Sequence, residues 1–251
     1  MKKINSRQNK RLKAIIALKR PKGRKSQKKL LLEGFRALET VIKAGWSPLE
    51  LFCTEKTLDL AQKLASDEII TVVTASVMEK LSSAQTASGL VGVFKFPKIP
   101  KTEKLSSGLV LSEIADPGNM GTLIRSSIAL GFSSIVIVGG ADPWSHKVLQ
   151  ATAGTIAHAN IFQWSWEKLL KNKNDKELIA LIPNGGDKPD SIKKNKSLLV
   201  VGNEAHGIRK EWINDCNKKV TIPMTKTAES LNAAVAGSIT LYLLSNLSLH
   251  Q

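Results

Sequence analysis

Residues 108–140 read GLVLSEIADPGNMGTLIRSSIALGFSSIVIVGG and contain a strand, a helix and a second strand in close succession. The strand patterns cover residues 108–114 and 134–140, and their apolar runs are typical of strands buried on both faces. The helical pattern between them, residues 122–131, ends at a glycine. This order predicts a βαβ unit of a parallel sheet. Parallel sheets bind ligands at the carboxyl ends of their strands, so functional residues are expected in the loops that follow the strands.

The same alternation continues beyond this unit. The remaining patterns are strands at 161–164, 178–183, 197–203 and 220–224, and helices at 146–157, 166–173 and 229–247. Residues 98–107 contain Pro, Lys and Ser without hydrophobic periodicity and predict a linker. The sequence therefore predicts an α/β protein with a first domain over residues 1–97 and a second over residues 108–251.

The first domain is predicted to be a smaller α/β domain. Residues 28–44 read KKLLLEGFRALETVIKA, and their apolar spacing predicts a single amphipathic helix. The other patterns are strands at 49–54, 68–74 and 89–96, which alternate with helices at 57–65 and 76–82.

The charge of the 251-residue chain is unevenly distributed. The net charge is +16, and residues 1–100 contain 20 basic and 8 acidic residues, against 17 and 13 in residues 101–251. The first 29 residues include 13 Lys and Arg residues and no acidic residue. A solvated cationic arm of this kind attracts polyanions because neutralising phosphates releases condensed counterions. Nucleic acid is the favoured partner; a solubilising tail and a mitochondrial presequence are the alternatives.

The composition excludes several classes of protein. A hydrophobic fraction of 42% allows a sizeable core, which excludes a wholly disordered polybasic chain. The two cysteines, Cys53 and Cys216, are too few for a disulfide scaffold, and neither they nor the four histidines show metal-ligand spacing. Apolar runs stay below the ~18 residues of a membrane span. A soluble, cytoplasmic protein without a metal is expected.

Three segments that follow strands carry the polar residues of most interest. In residues 113–132, helix amides and Arg125 together suit an anion. In residues 198–212, Gly202 and Gly207 leave room for a ligand against the backbone. The third segment, residues 221–237, begins where a strand ends and continues into a helix rich in small residues.

Each segment also has an ordinary structural interpretation. The first is a Pro-Gly turn with a solvated Arg125. In the second, Glu204 is a helix-start carboxylate stabilised by the helix dipole. In the third, Ser230 is a helix cap and Asn232 makes a local hydrogen bond. The glycine patterns match neither the dinucleotide-binding nor the P-loop fingerprint, so a nucleotide-dependent enzyme of another kind lacks support.

Together the three segments are far more specific. They contain N-x-G-T-x-x-R-S (119–126), V-G-N-E-x-x-G-I (201–208) and I-P-M-x₅-S-L-N-x-x-V-A (222–236). These closely resemble the three motifs of the SpoU (TrmH-type) branch of the SPOUT RNA methyltransferases. Residues 139–158 are similar to that family's segment between the first two motifs. Residues 31–52 resemble the accessory domain with which ribosomal-RNA 2′-O-methyltransferases bind substrate.

The resemblance implies a fold and an activity. The second domain would be a SPOUT α/β catalytic domain, a parallel sheet with a trefoil knot, and the first a substrate-binding domain similar to ribosomal protein L30e. The chain would be a homodimer that transfers a methyl group from S-adenosylmethionine (AdoMet) to a ribose 2′-hydroxyl of large-subunit (23S-type) ribosomal RNA. The alternatives are a tRNA 2′-O-methyltransferase and a non-catalytic, ribosome-associated RNA-binding protein.

The resemblance also assigns residues to roles. Arg125 matches the family's catalytic arginine, and the accompanying polar motif residues are Asn119, Glu204, Ser230 and Asn232. The residues expected at the AdoMet are Gly202, Asn203, Ile222, Met224 and Leu231. The departures from the family pattern include Lys226 in place of a frequent glycine and Gln150 in place of a frequent arginine. These departures do not change the expected reaction, but they leave the identity of the target RNA undetermined.

Overall fold

The computed structural model describes residues 2–4, 9–83, 87–189, 196–225 and 230–245. The chain forms two compact units, one of Met1–Lys98 with Trp144–Ala157 and one of Ile99–Pro143 with His158–Gln251. Residues 144–157, which the sequence places in the second domain, thus pack with the first unit.

The first unit is built on a five-stranded mixed sheet. Its elements in residues 1–98 are β1 (Lys2–Ile4), α1 (Lys10–Ala17), α2 (Pro21–Gln27), β2 (Lys29–Glu33), α3 (Phe35–Lys43), β3 (Pro48–Cys53), α4 (Leu58–Gln62), β4 (Ile70–Val73), α5 (Ala75–Leu81) and β5 (Leu90–Lys95). The strand order is β1-β4-β3-β5-β2, in which β1, β4 and β3 are parallel and β5 is antiparallel to both of its neighbours.

The prediction of one helix over residues 28–44 is wrong. The leucines of β2 pair with β5 and are buried, so they belong to the sheet. Gly34 then turns the chain with a φ of 92°, a conformation that favours glycine, and α3 begins at the next residue. Three consecutive leucines fit a helical stripe and a strand buried on both faces equally well, which is why the pattern misled.

The prediction of a solvated cationic arm is also wrong for the described part of residues 1–29. Helix α1 buries two apolar side chains, Leu12 and Ile15, and Leu18 just after it is buried as well. They pack in one cluster with Phe52 of β3 and Met78 of α5. Strand β1 extends the sheet beside β4. The basic residues are therefore displayed by folded structure rather than by a loose tail.

The second unit is built on a parallel sheet, as the sequence predicts. Its region contains β6 (Gly108–Ser112), α6 (Pro117–Ala129), β7 (Ser134–Val138), α7 (His146–Ala151, which packs with the first unit), β8 (Asn160–Gln163), α8 (Trp166–Asn172), β9 (Glu177–Leu181), β10 (Ser197–Val201), α9 (Lys210–Asn214), β11 (Lys218–Val220) and α10 (Ala233–Ser245). The order of the described strands is β11-β9-β10-β6-β7-β8, and all neighbours are parallel.

The order of this sheet determines where a ligand can bind. From β6 the chain proceeds through β7 to β8 on one side, whereas β10, β9 and β11 lie on the other side. The direction of winding therefore reverses between β6 and β10. At such a switch point the loops leaving the two strands diverge and form a crevice. The first motif lies on the helix that follows the β6 loop, and the second motif lies in the loop after β10.

Some predicted boundaries shift. Helix α6 begins at Pro117 with Asp116 as its cap, five residues earlier than the apolar pattern indicates. Strand β11 ends at Val220, so the expectation that Ile222 and Met224 end a strand is wrong; Pro223, between them, lacks the N–H that a strand ladder needs. Among the described residues, no helix is both long and apolar enough to cross a membrane.

Candidate functional site

The loops after β6 and β10 are joined by the carboxylate of Glu204. Its two oxygens accept the backbone N–H groups of Ala115 and Asp116, each at 3.1 Å, and the side-chain amide of Asn119 at 3.0 Å. Burial raises the pKa of Glu204, but these hydrogen bonds outweigh it and hold the pKa below its ordinary value. The carboxylate therefore stays ionised at neutral pH, with its lone pairs engaged within the chain.

Asn119 extends this junction to the third motif. Its side-chain oxygen accepts the amide of Asn232 at 3.1 Å. The oxygen of Asn232 in turn caps α10 by accepting the backbone N–H groups of Ala234 and Val235. The cap is therefore Asn232 and not Ser230, for which the sequence had offered that role. The chain Glu204–Asn119–Asn232 links all three motifs by side-chain hydrogen bonds.

The start of α6 is not open to a ligand anion as the sequence suggested. The backbone N–H of Asn119 donates to the Asp116 side chain at 2.7 Å, and the preceding amides donate to Glu204. Two of the chain's own carboxylates thus take the positive end of the helix. Of the anion-binding groups predicted in this segment, Arg125 remains.

Arg125 lies two turns further along α6 and is exposed. It makes no hydrogen bond or ion pair with any residue that the structure describes. Its guanidinium keeps five N–H donors in a planar fork available to a ligand. The neighbouring Ser126 is tied to Ser238 of α10 by a hydrogen bond of 2.8 Å between their hydroxyl oxygens, which fixes the helix that carries Arg125.

The second motif forms a tight loop. Asn203 and Gly207 exchange backbone hydrogen bonds of 2.9 and 3.0 Å, and the Asn203 amide donates to the Glu113 carbonyl at 2.8 Å. A Cβ on Gly202 would lie 2.3 Å from the Gly207 backbone. The glycine is therefore required by this close approach of the chain to itself. The space beside its Cα is taken by the chain itself, and its assignment to the cofactor site stays a prediction.

Beside this loop lies a contact that the sequence did not reveal. The guanidinium of Arg209 binds both carboxylate oxygens of Glu113 and lies over the ring of Trp212, 4.7 Å from its centroid. Trp212 stacks on Trp166 with 4.8 Å between the centroids. The hydrogen bond from Arg209 lowers the pKa of Glu113, with burial opposing it. The sequence signal for this contact was an arginine two residues after Gly207. An arginine at that place is equally typical of a solvated helix start.

Three residues expected at the AdoMet, Ile222, Met224 and Leu231, have backbone donors or apolar side chains that a ligand could contact. Ile222 and Met224 are half-buried in an irregular segment, and their backbone N–H groups donate to no described residue. Leu231 keeps 37% of its surface exposed. Apolar side chains beside unpaired backbone donors fit an adenine ring, which needs an apolar slot and a few hydrogen bonds. Ser230, the residue before Leu231, is exposed. Lys226 lies outside the described residues.

A metal centre does not emerge from the part of the chain that the structure describes, because no group of three His, Cys, Asp or Glu side chains there could hold an ion. The free thiols of Cys53 and Cys216 are buried and half-buried, and burial raises their pKa to about 11 and about 12.

A parallel sheet that reverses between β6 and β10, with the three motifs hydrogen-bonded at that point, agrees with the class that the motifs resemble, a SPOUT RNA methyltransferase. A model of the SpoU rRNA Methylase family matches residues 106–242, and a model of the MRM3-like substrate binding domain matches residues 9–92. The chain belongs to the SpoU rRNA methylase family, and it is an AdoMet-dependent RNA methyltransferase.

Relatives resemble the chain over nearly its whole length. An uncharacterized tRNA/rRNA methyltransferase of Synechocystis is 31% identical, over 95% of this chain and 92% of that protein. The 23S rRNA (guanosine(2553)-2′-O)-methyltransferase RlmP of Bacillus subtilis is 26% identical, over 96% and 98%. The crystal structure of an AdoMet-bound rRNA methyltransferase from Sinorhizobium meliloti has a TM-score of 0.86 and 26% identity, over 98% and 99%.

Proposed function

We propose that this protein methylates a ribose 2′-hydroxyl in large-subunit ribosomal RNA. The observation that carries the proposal is the junction of Glu204, Asn119 and Asn232, which joins the three motifs. Arg125 lies on the same helix as Asn119, exposed and without an ion pair to any described residue. Relatives named as 23S rRNA 2′-O-methyltransferases support the ribosomal substrate over the tRNA and non-catalytic alternatives.

AdoMet supplies an activated methyl group to this reaction. The residues that would hold it are the backbone around Gly202 and Asn203, and the segment with Ile222, Met224 and Leu231. The segment with Ile222, Met224 and Leu231 has the unpaired donors and exposed apolar surface described above. Because the donor is already activated, the task left to the protein is to place the hydroxyl in line and to accommodate its proton.

The arrangement favours orientation by Arg125 over proton removal by a protein base. An arginine stays protonated, so Arg125 acts as a donor that holds the target nucleotide and stabilises the developing alkoxide. Glu204 is a poor base because its pKa is lowered and its oxygens already accept three N–H groups. The proton then passes to solvent or to an RNA phosphate.

The remaining motif residues position the site. Asn119 and Asn232 use their side-chain amides within the chain, which fixes α6 and α10 relative to the loop of Glu204. Ser230, with no described hydrogen bond, lines the pocket between the third motif and the target nucleotide.

Replacement of Arg125 tests the catalytic role directly. Arg125→Ala should reduce methyl transfer by about 10²–10³-fold, the range of a lost electrostatic donor, while AdoMet affinity stays within about 2-fold. Tritium transfer from labelled AdoMet and calorimetry measure the two effects. Lys171→Ala, which removes an exposed cation from α8, is the matched control and should leave both unchanged. Retained turnover in Arg125→Ala would contradict the assignment.

The RNA target is tested by mapping 2′-O-methyl groups in cells with and without the gene. A site in large-subunit RNA should disappear when the gene is absent. Loss of a tRNA site alone would support the tRNA alternative, and an unchanged map of both RNAs would defeat the proposal.

We also propose a cytoplasmic homodimer. The exposed side of α10 carries Val235, Ile239, Tyr242 and Leu243, whose spacing places them along one face of the helix, and Tyr242 is 60% exposed. The small residues Ala234 and Gly237 face inward, and Gly237 packs against Leu123 and Val201. A second copy of the chain fits the apolar face that remains.

A further inference from the structure

The hairpin of α1 and α2 displays cations that the fold itself does not neutralise. Around α2, Arg20, Lys22, Lys25 and Lys28 are all exposed. None of the four makes an ion pair with a described residue, and residues 1–29 contain no acidic side chain. Two exposed lysines elsewhere in this unit do have carboxylate partners, Lys43 with Glu39 and Lys3 with Glu55.

The hairpin holds these cations on a rigid support. Arg24 is buried and donates to the backbone carbonyls of Leu18 and Lys19 at 3.1 and 2.9 Å. Gln27 donates to the Ala14 carbonyl at 2.8 Å. Gly23 lies so close to α1 that a Cβ would be 2.0 Å from the Ala17 carbonyl oxygen. One side of α2 is thereby fixed to α1, and Lys22 and Lys25, at i and i+3, project together from another side.

Helix α2 contributes little to the hydrophobic core. Its sequence PKGRKSQ contains no large apolar residue, and its buried member is Arg24. Holding several like charges together on a helix costs free energy by mutual repulsion. An anionic partner that neutralises them offsets this cost.

The chemistry of the hairpin selects the part of the nucleic acid that it contacts. Residues 9–29 contain no Phe, Tyr or Trp, so they provide no ring on which a base could stack. They provide cations for phosphate oxygens, which position a nucleic acid without reading its sequence.

We propose that Arg20, Lys22, Lys25 and Lys28 form a phosphate-binding surface that holds the backbone of the RNA substrate irrespective of its sequence. The inference rests on the proposed function in taking RNA as the substrate. Lys19 is excluded from the surface because its ammonium donates to the Ser82 carbonyl, and desolvation by burial lowers its pKa, with Glu33 opposing the shift. Arg24 is excluded because it supports the hairpin.

The test compares two variants of equal net charge. The hairpin variant combines Arg20→Gln, Lys22→Gln, Lys25→Gln and Lys28→Asn; asparagine is chosen at position 28 because that residue has a φ of 52° and asparagine tolerates this region. The control combines Lys43→Gln, Lys56→Gln, Lys63→Gln and Lys80→Gln, four exposed cations of the same unit. Circular dichroism and thermal melting compare the folding of both variants with that of the wild type.

The readouts are RNA affinity and its dependence on salt. A 60-nucleotide fragment of large-subunit RNA and an unrelated structured RNA of equal length serve as probes. The hairpin variant should bind both about 30-fold more weakly at 0.1 M salt. Its plot of log K against log salt should be shallower by about 3, because each phosphate contact contributes about 0.7 to 0.9 to the slope. The control should change affinity less than 3-fold.

Several outcomes would overturn the inference. They are equal weakening by the control, an unchanged salt slope, and weakened binding of only one RNA. Binding of the wild type to phosphatidylserine vesicles that is lost in the hairpin variant while RNA binding persists would assign the surface to membranes instead. Failure of the proposed function is separately visible, because a wild type that binds RNA through the hairpin but transfers no methyl group would retain the surface and lose the activity.

Discussion

At the scale of single residues, Asn119 is the junction on which the site depends. It donates to Glu204 and accepts from Asn232, so its two amide atoms connect the second and third motifs through the first. An aspartate of the same shape can still accept from Asn232. It cannot donate to Glu204, and it places a second carboxylate at hydrogen-bond distance from the first.

Asn119→Asp should therefore damage the site in a pH-dependent way. We expect the free energy of unfolding to fall by about 1–3 kcal/mol at pH 8, because the half-buried amide loses its hydrogen bond to a charged carboxylate and two like charges meet. Sharing a proton raises the pKa of the carboxylate pair in the folded state, so the deficit should grow as pH rises and shrink near pH 5. Urea denaturation at both pH values measures this.

Asn172→Asp is the matched control for that variant. The Asn172 amide donates to the Lys168 carbonyl on the exposed surface of α8, and no carboxylate takes part in that hydrogen bond. Asn172→Asp should lower the free energy of unfolding by less than about 1 kcal/mol, and the loss should not be larger at pH 8 than at pH 5. An Asn119→Asp variant as stable at pH 8 as at pH 5 would show that the amide does not support the junction.

At the scale of elements, the sequence predicts the helices and strands whose hydrophobic pattern fits only one type of secondary structure. Strands β6 to β10 of the parallel sheet, and helices α6, α8 and α10, lie near their predicted positions, because buried strands and amphipathic helices of ordinary length leave distinct periodicities. The last strand, β11, contains Lys218 and Lys219 and meets its predicted range only at Val220. Strand β2 was missed because a run of leucines is ambiguous, and α1 and α2 because their dominant feature is charge. The pattern of charge does not say whether Leu12 or Arg24 is buried.

The sequence could select residues that the structure brings together, but it could not predict their contacts. Resemblance selected Asn119, Glu204 and Asn232, and parallel-strand geometry placed their loops at one edge of the sheet. That Glu204 binds the amides of Ala115 and Asp116, at a separation of 89 and 88 residues, follows only from the register of β6 beside β10. Likewise, the Glu113–Arg209 pair depends on where two loops converge in space.

The end of β2 offers a test at this same scale. Glu33 is 6% exposed in its side chain, accepts from Ser82, Ser83 and Ser88, and lies 3.1 Å from His146 Nε2. Burial raises its pKa, but these donors, His146 foremost, prevail and lower it to about 2 from 4.5. Glu33 thus connects β2 to residues that follow α5 and to the start of α7.

Glu33→Gln should lower the free energy of unfolding by about 2 kcal/mol at pH 7, because hydrogen bonds to a charged group are worth about 1.5–3 kcal/mol. The stability that ionised Glu33 contributes is present above pH 4.5 and lost as pH falls towards 2. The difference between wild type and variant should therefore shrink below pH 4.5. Glu39→Gln, which loses an exposed pair with Lys43, is the control and should cost under about 0.5 kcal/mol. A constant difference from pH 7 to pH 3 would contradict this role.

At the scale of the whole molecule, charge and apolar surface are assigned to different parts of the chain. Residues 1–100 carry most of the net charge of +16, as 20 basic against 8 acidic residues, and the fold displays it on α1 and α2. The second unit has no comparable excess, and its exposed large apolar residues are concentrated on and just before α10. The first arrangement suits a polyanion and the second suits another apolar surface.

If the α10 face joins two copies of the chain, charges placed on it should separate them. Ile239→Glu combined with Tyr242→Glu removes two side chains whose burial contributes about 1.5–3 kcal/mol each, so the dimer dissociation constant should rise at least about 100-fold. Sedimentation from 1 to 100 µM should show a dimeric wild type and a monomeric variant. Lys171→Glu, the same new charge on α8, should remain dimeric. Both variants should keep their melting temperatures within about 3 °C, because Ile239 and Tyr242 are 38% and 60% exposed in the single chain. A monomeric wild type, or a variant that stays dimeric, would refute the interface.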